Sequence, residues 1–411
     1  MKKILFLSAF LVVASFANGQ ILKKVTDKVK NKVESKSDNK VDGTTNKNPG
    51  DATNGNSDAK KEEATNSVSN QQSPASIKSY SKYDFVPGEK IIVFEDFMQD
   101  AIGDLPSKWN TNASGETVTI EGKPGHWFKM TNKGVFMPDF IDTLPDDFTL
   151  ELDLLADAPV HSWGFNIVLA QLNKRDDPAD WPQSDNYFNL NLLPGTDGQG
   201  SSGYEQKKSG NYIAAPTAQI RSFADITRPV HISMWRQKER IRIYLNEDKT
   251  WDVPKAISQQ AKLNSFILFI QLTDNWNFYI SNLRLAVGAP DTRKKILEQN
   301  KWVTHGILFD VNSATIKPES YGTLKEMASV LKENPDLKVK IVGHTDADGN
   351  DASNLELSKK RAASVKAMLA KEFGIDESRM ETDGKGESEP IDKNDNPAGK
   401  ANNRRVEFIK I

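Results

Sequence analysis

Between Gln20 and Ser79 the chain contains no aromatic residue, and Lys, Asn, Ser, Thr, Asp and Gly dominate. Such a segment buries too little apolar area to offset the entropy of ordering it, so residues 20–82 read as a disordered polar linker. A folded core must lie downstream, where Tyr80, Tyr83 and Phe85 are the first aromatics after the linker. One local pattern interrupts it: Ile21, Val25, Val29 and Val33 recur every fourth residue with Lys between them, as on one helix face. Its lysines suit a partner or membrane surface. So short and Val-rich a helix is marginal alone, which also fits the frayed start of a linker.

Residues 1–19 have a different character. Lys2 and Lys3 precede an almost wholly apolar run from Ile4 to Ala14, and Ala17-Asn18-Gly19 places small residues before Gln20. That is a secretory signal peptide, with cleavage expected near Gly19. The apolar run is shorter than the roughly 20 residues a membrane-spanning helix needs. The expected location is the periplasm or cell envelope, with outer-membrane association only indirect.

Across all 411 residues, Lys+Arg is 54 and Asp+Glu is 56, a formal charge of −2. A nucleic-acid binder would be expected to be basic, so no nucleic-acid partner is expected. Cys is 0, which excludes disulfides, thiolate zinc sites, thiol nucleophiles and a cysteine-linked lipid anchor. His126, His161, His231, His305 and His344 are widely scattered, so no local His-based metal motif exists and no cofactor or metal is expected.

Residues 83–290 read as an all-β domain. Phe148, Leu150, Leu152 and Leu154 alternate with Thr149, Glu151 and Asp153, the period of a strand with one face inward. Val230, Ile232 and Met234 are followed by polar Arg236 to Glu239 and then by Ile241, Ile243 and Leu245, a hairpin pattern. Phe266 to Leu272 and Phe278 to Leu285 are two further strands. Strands at this spacing without long helices imply a sandwich or barrel. The opening Phe94-Glu95-Asp96-Phe97, with Gly103, Pro106 and Trp109, and the closing Tyr279 to Leu285 resemble concanavalin-A-like (laminin-G-like) jelly rolls. That resemblance implies carbohydrate or protein recognition.

The same stretch allows a test for catalysis. Glu151 and Asp153 share a strand face, and a retaining glycosidase needs two carboxyl groups about 5–5.5 Å apart. The resembling β-glucanases carry a further Glu on that strand, where this chain has Leu155 and Ala156. The other reading of Glu151 and Asp153 is a solvated outer sheet face. Trp181-Pro182, Tyr187, Tyr204 and Tyr212 lie in glycine-rich sequence, where aromatics either stack on sugars or pack under loops.

Residues 291–303 are charged and read as a linker. Beyond them, strands and helices alternate as in a βαβαβ sandwich. Ile307-Leu308-Phe309 forms the first short strand, and Pro318 can open a helix carrying Leu324, Met327, Val330 and Leu331. Leu337 to Val342 is a strand and Gly343 to Gly349 a loop. A helix bearing Leu357, Arg361, Val365, Met368 and Leu369 then ends at Gly374. Met380 to Thr382 and Val406 to Ile411 complete the pattern.

Residues 304–411 resemble the OmpA C-terminal peptidoglycan-binding family. Three runs carry the resemblance: Phe309-Asp310-Val311-Asn312; Gly343-His344-Thr345-Asp346 through Asn354, Leu357-Ser358 and Arg361-Ala362 to Val365; and Asn403-Arg404-Arg405-Val406-Glu407. The family holds the diaminopimelate of the peptidoglycan stem peptide without catalysis. The resemblance assigns Asp346 to the ligand ammonium and Arg361 to its carboxylate, matching what a bidentate guanidinium fork does best. It further implies that Asn312 and Asn354 hydrogen-bond the ligand and that Thr345 and Leu357 line the pocket. Two other readings of this loop are weaker. A calcium loop of EF-hand type counted from Asp346 requires Gly at position 6 and Glu at position 12, which this sequence lacks. His344 has no motif tying it to a nucleophile, so a loop-fixing role suits it better than that of a base.

The sequence thus suggests an exported, non-enzymatic, multidomain protein: a flexible linker, a jelly-roll recognition domain, and an anchor whose partner is peptidoglycan. The alternatives are an envelope glycan hydrolase carried by the anchor, and a scaffold whose β domain binds another envelope protein.

Overall fold

In the computed structural model, residues 83–411 are described, apart from 132, 161–163, 176, 178–182, 196–197, 216, 272–275 and 289–290. The signal peptide, the linker, the Ile21–Val33 stripe and Trp181-Pro182 lie outside the described residues. The described residues fall within one compact unit.

Two antiparallel sheets of eight strands each build the β part. The first runs in the order Asp248–Val253, Arg240–Leu245, Val230–Gln237, Asp147–Ala156, Asn277–Val287, Lys123–Thr131 and Ser114–Ile120, with Lys90–Glu95 also on Asn277–Val287. The second runs Asn211–Ala214, Ser201–Lys208, Tyr187–Leu193, Phe165–Ala170, Ser265–Ile270, Gly134–Pro138 and Trp109–Thr111, with Ala218–Gln219 beside Ser201–Lys208. The two sheets close on one apolar core. Leu150, Leu152, Ile232 and Met234 enter it from the first sheet, and Ile167, Leu190, Phe266 and Leu268 from the second. The alternation at residues 148–154 is the cause: in an extended chain every second side chain points the same way. The expected hairpin is Val230–Gln237 paired with Arg240–Leu245, its tight turn using Lys238 at φ 54°. Ser265–Ile270 and Asn277–Val287 lie in different sheets.

The C-terminal part has a four-stranded sheet in the order Lys301–Thr304, Val406–Lys410, Val339–His344 and Met380–Gly386, with only the last pair parallel. Its helices are α1 (Thr292–Glu298), α2 (Tyr321–Glu333), α3 (Asp351–Phe373) and α4 (Pro397–Asn403). Leu324, Met327, Val330 and Leu331 of α2 and Ala362, Val365 and Leu369 of α3 pack with Val339 and Ile341 of the sheet. Asn350 caps α3, accepting from the amides of Ala352 and Ser353. Gly374 ends it at φ 68°, a left-handed conformation that favours glycine.

Two expectations are corrected here. Residues 291–303 are not a linker but carry α1 and the edge strand Lys301–Thr304. Buried Ile296 and Trp302, the latter stacked on Phe408 at 5.4 Å, fasten this stretch to the sheet. Ile307-Leu308-Phe309 is not a strand: Phe309 forms a single bridge with Ile316, because the chain turns back at once.

Candidate functional site

The outer face of the first sheet carries the two carboxylates Glu151 and Asp153. Glu151 is 2% exposed. Arg284 donates to both its oxygens, at 2.9 and 2.6 Å, and His231 Nε2 lies 3.2 Å from Oε2. His231 Nδ1 is 2.7 Å from Asp153, which also accepts from Asn282 at 2.7 Å. Burial alone would push the Glu151 carboxyl up, but Arg284 and then His231 hold it below its ordinary value. Asp153 is likewise lowered despite burial, by His231 and Asn282. Burial works against charge on His231, yet Asp153 and Glu151 raise it to about 10. The face is therefore not solvated: Glu151 and Asp153 share a buried ion network with Arg284 and His231. Arg284 also donates to the His305 carbonyl at 3.0 Å, and the Gly88 amide donates to Thr149, so other segments fold over it.

The aromatics divide. Tyr187 is buried, and Tyr204 stacks on Phe188 with Trp251 at its edge. Tyr212 is 58% exposed and donates to Glu205 at 2.6 Å.

The second candidate site forms where the strand Val339–His344 gives way to the loop before α3. His344 ends the strand: its amide donates to the Arg405 carbonyl, and its ring lies 3.6 Å from Glu407. Burial opposes charge on Glu407, but His344, Lys301 and Arg405 hold its carboxyl well below the carboxylate range. Next along the chain, the Thr345 amide donates to the Gly386 carbonyl at 2.9 Å. Asp346 follows, nearly buried, one oxygen accepting from the Asp348 amide at 3.2 Å and the other from Arg404. Lys400 of α4 pairs with Asp348 at 2.7 Å.

On α3, Asn354, Leu357 and Arg361 recur at i, i+3 and i+7 and so share a face. Buried Asn354 donates to the carbonyls of Asp346 and Asp348 and to Glu387, tying the loop to the first turn of the helix. Leu357 is half-buried. Arg361 donates through Nε to the Ser313 carbonyl at 3.0 Å, and its guanidinium lies 4.9 Å over the Phe309 ring. Burial, then the nearby Arg404 charge, lowers the Arg361 pKa, while Asp346 raises it. Asn312, exposed at φ 52°, is in the turn that Arg361 grips through Ser313. Asp310 and Thr315 close that turn at 3.1 Å.

All six expected residues thus reach one corner. Among the described residues, Asp346 is ion-paired with Arg404, not Arg361. Arg404 and Glu387 were not expected as site residues. Arg404 had a signal, since it stands in the run Asn403-Arg404-Arg405; Glu387 had none.

Residues 308–404 match the family described as OmpA family, so the C-terminal part of the chain is an OmpA family domain. Over 104 residues the chain is 45% identical to a probable lipoprotein, YiaD, of Escherichia coli. Over 101 residues it is 44% identical to outer membrane porin F of Pseudomonas fluorescens. Each alignment takes in 25% of this chain, against 47% and 31% of those relatives, so the chain spans less than half their length. Among solved structures, the peptidoglycan-associated lipoprotein from Burkholderia pseudomallei is 26% identical, covering 29% of this chain and 98% of that one, with a TM-score of 0.25. No described helix is long and apolar enough to cross a membrane.

Proposed function

We propose that this protein is an exported cell-envelope anchor. Its C-terminal part binds peptidoglycan non-covalently through diaminopimelate, and its β part is held against the wall to recognise a glycan or protein. The observation that carries this is the convergence of Asp346, Arg361 and Arg404 on one loop–helix corner. The free end of diaminopimelate bears one ammonium and one carboxylate. Asp346 suits the ammonium, and a guanidinium suits the carboxylate through two parallel hydrogen bonds. Asn354 and Asn312 supply neutral polar contacts, while Thr345 and Leu357 line the site. Nothing in this set activates water or a nucleophile, which fits holding rather than turnover. The burial of Glu151 and Asp153 in an ion network argues against a hydrolase on the first sheet.

The test is co-sedimentation of the full chain with insoluble peptidoglycan. Loss of the protein from solution, abolished by Asp346→Ala in a variant that still melts cooperatively, supports the reading. Equal pelleting of the wild type and the variant contradicts it.

A further inference from the structure

The wall-binding corner has a neighbour that lies outside the matched stretch 308–404. The guanidinium of Arg404 sits 5.1 Å over the ring of Phe94, in the strand Lys90–Glu95 of the first sheet. Two residues earlier, Asn402 brackets Ile91 of the same strand, accepting from its amide at 3.0 Å and donating to its carbonyl at 2.9 Å. Ala401 packs against Ile91 and Ala286, with Phe94 alongside. Helix α4 is therefore fastened to the edge of the β part by two hydrogen bonds between the Asn402 side chain and the Ile91 main chain and by an apolar contact. The arginine that pairs with Asp346 leaves its C-terminal end. The other arginine of the site, Arg361, also lies over a phenylalanine, Phe309. One ring comes from each side of the seam.

We propose that Phe94 is a positioning residue for the wall site: the β part, through this ring, sets the place of Arg404 and hence the affinity of the anchor. This inference rests on the wall-binding reading above. The physical reason is charge balance. Asp346 pairs with Arg404, and a ligand ammonium that takes up Asp346 must leave Arg404 with another favourable seat. The negative face of an aromatic ring is such a seat and asks for no counter-ion. It also holds the guanidinium edge, with its N–H donors, free to meet a carboxylate.

The test compares the full-length wild type, Phe94→Leu, Phe94→Tyr and Arg404→Ala, titrating each calorimetrically with a soluble muropeptide that bears free-ended diaminopimelate. Leucine keeps the apolar bulk and removes the ring face; tyrosine keeps the face. The expected result is an affinity loss of about fivefold in Phe94→Leu, the scale of a half-exposed cation–π contact, with an unchanged melting temperature. Phe94→Tyr should bind as the wild type does. In the Arg404→Ala background Phe94→Leu should cost nothing further, because the two act as one unit. Wild-type affinity in Phe94→Leu, or a loss that persists without Arg404, overturns this inference and leaves wall binding standing. No binding by the wild type overturns both.

Discussion

Arg404 donates to the carboxylate of Asp346 across a sequence separation of 58 residues, joining the end of α4 to the loop that opens α3. The pair is half-buried on the arginine side and nearly buried on the other. Arg361 is a second guanidinium beside it, close enough for the charges of both Asp346 and Arg404 to act on it. Removing Asp346 would take away the carboxylate charge that offsets the repulsion between Arg361 and Arg404. Asp346→Ala and Arg361→Ala should each lose about 2–5 kcal/mol of binding, the usual cost of truncating one member of a buried charge pair. That is enough to abolish pelleting at micromolar protein. Circular dichroism should show both variants folded.

Glu151 gives the opposite outcome. Its partners Arg284 and His231 are buried with it, so Glu151→Ala strands the Arg284 guanidinium and leaves His231 with Asp153 alone. Breaking a buried pair from one side costs about 3–5 kcal/mol. Urea unfolding should show that loss of stability. Unchanged stability would mean that water reaches this network freely.

The same network sets a pH dependence. His231 is raised to about 10 in the folded chain from an ordinary 6.5. Its stabilising effect is full below pH 6.5, where it is charged in both states, and is lost as pH rises towards about 10. Glu151 and Asp153 are shifted downward, so their contribution is present above their ordinary values of 4.5 and 3.8 and fades as acid protonates them. The stability gap between the wild type and His231→Gln, followed by urea midpoint, should therefore narrow steadily from pH 6.5 to 9. A constant gap would mean that His231 is not charged when folded.

Helix α3 lies on its sheet through two glycines. A Cβ on Gly343 would stand 2.3 Å from the Ser358 carbonyl oxygen, and one on Gly384 would stand 2.4 Å from the Lys359 nitrogen and from the Ser358 hydroxyl. These are backbone or tightly held atoms, so the helix must move. Gly343→Ala should cost about 1–3 kcal/mol of stability, as overpacking does. It should also weaken wall binding, because the shifted helix carries Asn354, Leu357 and Arg361. Thermal melts and pelleting read the two effects separately.

Much of the C-terminal part was legible because its signals are local. Gly374 ends α3 by capping chemistry, and Leu357, Arg361, Val365 and Leu369 lie along it at helical spacing. What escaped depends on tertiary contact. The charged stretch 291–303 shows few apolar residues, and only pairing with Val406–Lys410 makes Lys301–Thr304 a strand. The Asp346–Arg404 pair joins segments far apart in the chain, so no spacing rule could reveal it. The alternation around Glu151 marks a two-faced strand. The second face is buried because the segment around Gly88 and the backbone at His305 fold over it.

The ligand proposed for this corner is diaminopimelate. The most direct measurement is sedimentation of the full chain with diaminopimelate-type peptidoglycan against lysine-type peptidoglycan, with Arg361→Ala alongside. Lysine lacks the carboxylate that a guanidinium would hold, so the account predicts pelleting with the first wall only, lost in the variant. Equal binding to both walls, or binding indifferent to Arg361, would contradict it.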